Sequence, residues 1–148
     1  MADPEDETSE PSLEPSGDTW LTRLSADEWL KAGAGELVRA TEALLHKQQR
    51  MGVAQARRAA GMAWNAVLLQ IADVAERALY GRSYMDHLKV LREEMSVSPA
   101  VRQAATTLVG APLEQVLIQL GAGDTRVADA AEVIVAEARR RVRGEGQS

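Results

Sequence analysis

At 148 residues and 16.0 kDa the chain is one domain's worth, and its formal charge of -5 is unevenly spread. Residues 1–19 carry seven acids (Asp3, Glu5, Asp6, Glu7, Glu10, Glu14, Asp18) and no base. The remainder holds all 17 Lys and Arg against 15 Asp and Glu, which excludes a strongly basic nucleic-acid binder, and the lack of cysteine excludes disulfides, a thiol nucleophile and a thiolate metal site.

The acidic, proline-bearing start has too little apolar content to offset the entropy of ordering, so residues 1–19 are expected to be a disordered tail. It also lacks the basic start and apolar core of a secretory signal. Residues 20–148 are expected to form a single helical-bundle domain. Ser25 and Glu28 make a capping box opening a first helix to about Gln49, with Trp29, Leu37, Ala40 and Leu44 on one face. Gly33 and Gly35 inside it suggest a helix approaching closely. Gly52 reads as a break before a second long helix, Val53 to Tyr80, whose middle is apolar nearly all round. Gly81 ends that pattern, and Ser83 with Asp86 opens a third helix to about Met95. Ser98-Pro99 opens a short one to about Val109, and Pro112 another to Gly121. A last helix follows Asp124 to about Arg143, with Val127, Ala131, Ile134, Ala138 and Val142 on one stripe. The expected fold is therefore all-α, an antiparallel bundle of four main helices plus one or two short ones.

Several chemistries lack their residues. No Glu-x-x-His pair supports a di-iron bundle, Asp86-His87 supplies too few ligands for zinc, and no glycine-rich nucleotide loop follows a strand. No metal and no cofactor is expected. The apolar window Ala59 to Ala75 is short for a bilayer and interrupted by Asn65, Gln70 and Asp73, so a cytoplasmic protein without membrane contact is expected. An excess of arginine over lysine and many alanines suggest a bacterial source. Basic residues gather at Lys47, Arg50, Arg57 and Arg58 and again at Arg139, Arg140, Arg141 and Arg143; the second group suits a helix C-terminus.

One grouping is compatible with catalysis. Arg82 and His87 flank four residues, and the chain has only two histidines. An arginine at a helix N-terminus holds phosphate while a nearby imidazole moves a proton. The plainer reading makes His87 a half-buried helix residue bonded to a neighbour, Arg82 a surface side chain, and His46 a surface residue. The apolar second helix offers more surface than one bundle face needs. A homodimer is therefore expected, with Ala60, Trp64, Val67, Leu68 and Ile71 at its seam.

The layout over about residues 25–143 resembles the HEPN superfamily of small helical bundles. Trp29, Ala32, Leu37 and Ala40 are similar to its opening helix, Ala56 through Leu69 to its alanine-rich second, Tyr84 through Leu88 to its third, and Ala128 to Val142 to its last. Family members with ribonuclease activity use Arg, four to six residues, then His near the start of the last helix, across a homodimer interface. Here Arg82 and His87 keep the spacing but open the third helix. Arg126 has no histidine downstream, and Gly61 and Asn65 stand where many members carry Glu and Lys. The expected function is a non-catalytic HEPN-like module for dimerisation or protein-partner binding, regulatory or antitoxin-like. The alternative is a metal-independent, toxin-like ribonuclease acting on RNA through Arg82 and His87.

Overall fold

A computed structural model describes residues 20–110 and 123–144. The acidic segment 1–19 and the helix expected from Pro112 lie outside them. Among the described residues every regular element is helical: a 3-10 turn (Leu21–Arg23), then α1 (Ala26–Leu45), α2 (Gln49–Leu68), α3 (Val74–Ala78), α4 (Tyr84–Leu91), α5 (Pro99–Val109) and α6 (Arg126–Arg143). The all-α bundle expected from the sequence is the fold found.

The starts of three helices follow from local chemistry. Ser25, Ser83 and Ser98 each accept a hydrogen bond from the amide three residues on, and the first two complete reciprocal boxes with Glu28 and Asp86. The ends differ more. The second helix stops at Leu68, not Tyr80, because Asp73 offers its carboxylate to the amides of Ala75 and Glu76 at 2.9 and 3.3 Å and starts the separate helix α3. The first stops at Leu45, where Lys47 turns the chain with a left-handed φ of 65°. The third stops at Leu91.

α2 is the centre of the bundle and packs against α1, α4, α5 and α6. Its contact with α1 is close. A Cβ on Gly33 would stand 2.9 Å from the Ala59 carbonyl oxygen and 3.1 Å from the Ala63 amide nitrogen. Ala56, Ala59, Ala60 and Ala63 are all sealed at this level. Gly52 is not a break but a residue of α2, where a Cβ would lie 2.6 Å from Leu44 Cγ. Gly35, also expected at a close approach, has only its own helix's Arg39 within 4 Å. The C-terminal ends of α2 and α6 meet where α1 begins: Gln70 Nε2 donates to the Val142 carbonyl at 3.3 Å, and Arg143 pairs with Asp27 at 3.5 Å.

The apolar girth of α2 is covered within this one chain. Of the residues expected at a dimer seam, Ala60, Trp64, Val67 and Leu68 are buried and only Ile71 is partly exposed. Large apolar side chains reach the surface elsewhere, at Val38, Leu45 and Met51 around the α1–α2 bend and at Val74, Leu79 and Met95. Among the described residues no helix is long and apolar enough to cross a membrane.

Candidate functional site

Gly81, with a φ of 72°, turns the chain between α3 and α4 and packs on Asp86, where a Cβ would lie 2.6 Å from that residue's own Cβ. The turn sends Arg82 outward, and Ser83 then starts α4. His87, on the next turn of α4, points inward and has no exposed surface. The two residues with ribonuclease spacing thus face different environments. Among the described residues no hydrogen bond, ion pair or ring contact joins them.

The imidazole is held from four sides. Nδ1 donates to the Tyr80 carbonyl at 2.8 Å, and Nε2 stands 2.8 Å from Oδ1 of Asn65 on α2. Trp20 stacks on the ring with centroids 5.9 Å apart and planes at 29°, and Tyr84 meets it edge-on at 6.4 Å. Trp20 is brought there by the 3-10 turn, which Trp29 pins by donating its indole N–H to the Leu21 carbonyl at 2.8 Å. Gly61 makes room for Tyr84, since a Cβ there would fall 2.3 Å from that residue's Cβ.

Burial pushes the His87 pKa below the ordinary imidazole range, against the Tyr80 carbonyl and the Asp86 charge, which act to raise it. The neutral ring carries one proton. With Nδ1–H given to Tyr80, Nε2 is an acceptor and needs a donor. Asn65 Nδ2, otherwise buried without a partner, supplies it after a half-turn of the amide that exchanges it with Oδ1. The neutral histidine therefore ties α4 to α2 and to the turn preceding α4. A substrate phosphate has no path to a ring with no exposed surface and both nitrogens engaged. What this arrangement does chemically is cross-link the fold.

The basic clusters are largely engaged in structure. Arg57, its pKa lowered by burial, donates to the Leu108 carbonyl at the end of α5 at 2.8 Å, and Arg58 pairs with Glu36. Glu137 on α6 is buried and bonded by both Arg140 and Arg141. Burial acts to raise its pKa, and the two arginines more than offset that, leaving it below the ordinary carboxylate range. Arg141 also lies 5.6 Å above the Trp64 ring and donates to the Ser96 carbonyl. Lys47 and Arg50 stand exposed at the α1–α2 bend beside exposed His46. Among the described residues no three His, Asp or Glu side chains gather as metal ligands.

The sequence reading missed the partners of His87. Asn65 carried a usable signal, being the one side-chain amide in the fully apolar stretch of α2; Trp20 and the Tyr80 carbonyl carried none. No protein-family model, no curated protein and no solved structure matches the chain.

Proposed function

We propose that this chain is a non-catalytic helical-bundle module that acts by binding protein, first of all a second copy of itself, through the α1–α2 bend. One observation carries the proposal: Val38, Leu45 and Met51 stand 58, 56 and 52% exposed at this end of the bundle. Val38 and Leu45 are two turns apart on the same side of α1. Met51 borders two adjoining hollows. One, of about 270 Å³, is lined by Arg39, Glu42, His46 and Gln55; the other, of about 570 Å³, by Lys47, Arg50 and Ala54. Apolar side chains rimmed by both charge signs are the usual chemistry of a protein-binding surface. The likeness to HEPN bundles, in which two copies meet, supports the same reading, and a regulatory or antitoxin-like task in the cytoplasm suits such a module.

Light scattering tests this. The wild-type chain is expected to show twice its 16.0 kDa mass at micromolar concentration, and Leu45→Glu to return it to the single-chain mass with its helical circular dichroism unchanged. A 16.0 kDa mass at every concentration would refute self-association, and a dimer indifferent to Leu45→Glu and Met51→Glu would refute its placement at the bend.

A further inference from the structure

Trp20, the cover over His87, has two properties that bear on how it is held. Trp20 precedes the 3-10 turn with no side-chain cap, and among the described residues its buried indole N–H has no hydrogen-bond partner. Leaving its place therefore gives that N–H a water partner and breaks no hydrogen bond of the indole. Leu21, one residue on, is anchored by its own burial and by the bond from Trp29. The chain is thus anchored at Leu21, whereas the Trp20 ring is held by apolar packing and stacking alone, with no hydrogen bond to fix it.

The Asn65 amide makes the site compatible with both forms of His87. The neutral ring accepts from Nδ2; a doubly protonated ring donates from Nε2 to Oδ1, over the same heavy-atom separation, while Nδ1 keeps Tyr80. Hydrogen bonding thus does not resist protonation, and the buried charge does. The charged and titratable groups around it offer little compensation. Asp86, on α4, is exposed in its capping box with Ser83, and those bonds keep its pKa lowered so that it stays ionised. In the 3-10 turn Arg23 is exposed, and on α2 Arg58 is paired with Glu36; both arginines act on Tyr84. The Tyr80 and Tyr84 hydroxyls are neutral, held above the ordinary tyrosine range chiefly by burial. Arg82 is exposed and adds like charge. Attraction of the cation to the Trp20 face opposes release, but hydration of an imidazolium lacking a buried counter-ion outweighs one ring contact.

We propose that Trp20 is an acid-released cover: protonation of His87 turns the Asn65 amide and swings the Trp20 indole into solvent, with Leu21 as the fixed hinge. This device is independent of the binding surface at the bend. It converts a drop in pH into exposure of one aromatic side chain and of the ring beneath it.

The chain carries its own controls, having two histidines and three tryptophans. Proton–carbon NMR of the histidine rings follows His87 against exposed His46, and proton–nitrogen NMR follows the three indole N–H groups. As pH falls, His87 should titrate below the ordinary imidazole range. At the His87 midpoint the Trp20 indole signal alone should shift and exchange faster with water, by tenfold or more, while Trp29 and Trp64 hold. In His87→Gln the Trp20 signal should be pH-independent over that range. A Trp20 signal indifferent to His87 protonation would overturn the proposal, as would simultaneous loss of all three indole signals or a response persisting in His87→Gln. If His87→Gln does not fold, the wild-type titration decides alone.

Discussion

Around Ala56, Ala59 and Ala63, α2 meets α1 through backbone and methyl groups, with Gly33 pressed on the Ala59 carbonyl. Less than two turns further on, at Asn65, the same helix meets α4 through an amide and an imidazole roofed by aromatic rings. The first region is dry and set by shape, so added volume harms it. The second is polar and set by partners, so the loss of a donor or acceptor harms it more than the loss of volume does. One helix thus carries two kinds of tolerance within a few residues.

The largest expected effect breaks the polar side. His87→Ala leaves a cavity and strips partners from the Tyr80 carbonyl and from Asn65, and should lower stability by about 2–4 kcal/mol in urea denaturation. Gly33→Val breaks the dry side. Its side chain has no room between α1 and α2, and about 1–3 kcal/mol should be lost, with helices forced apart. These two variants sharpen the contrast if their losses are separable: His87→Asn should recover part of the first by restoring one hydrogen bond, whereas at position 33 even alanine should destabilise, its Cβ standing 2.9 Å from the Ala59 carbonyl oxygen.

Two smaller effects follow from charge and propensity. Glu137→Gln removes the acceptor charge from Arg140 and Arg141 and should cost about 1–2 kcal/mol, the arginines being partly exposed. Glu137 has a lowered pKa in the folded state, so its contribution is complete above the ordinary carboxylate range and is lost as pH falls through the lowered value. His87 follows the corresponding rule at higher pH. Neutral in the fold, it contributes fully above the ordinary imidazole range, and that contribution is lost as pH falls through its lowered pKa. Thermal melts from pH 8 to pH 3 should therefore show two successive losses, the first missing in His87→Gln and the second reduced in Glu137→Gln. The smallest effect is a gain. Gly35→Ala meets only the tip of Arg39 and should stabilise by about 0.5–1 kcal/mol.

The starts of α1, α4 and α5 were legible because each is decided within four residues: Ser25 with Glu28, Ser83 with Asp86, Ser98 with Pro99. The break at Asp73 was equally local, but the apolar run through Ile71 and Val74 hid it. That the middle of α2 is apolar nearly all round was also legible; what covers it was not. Periodicity counts the faces to be buried and is silent on whether the same chain buries them, and here α1, α4, α5 and α6 do so. The candidate site was half legible. The sequence marks His87 as a helix residue bonded to a neighbour, yet that neighbour, Asn65, lies 22 residues away on another helix, at a separation no spacing rule marks. Arg57 reaching Leu108 across 51 residues is hidden for the same reason.

The non-catalytic reading is tested most directly by incubating the purified full chain, in chelator, with single-stranded RNA beside His87→Ala and Arg82→Ala, and melting all three. The account predicts no cleavage by any of them, a clearly lowered Tm for His87→Ala, where a fully buried ring is lost, and an almost unchanged Tm for Arg82→Ala, where the side chain is exposed. Metal-independent cleavage by the wild type that disappears in both variants, at unchanged Tm for His87→Ala, would contradict it.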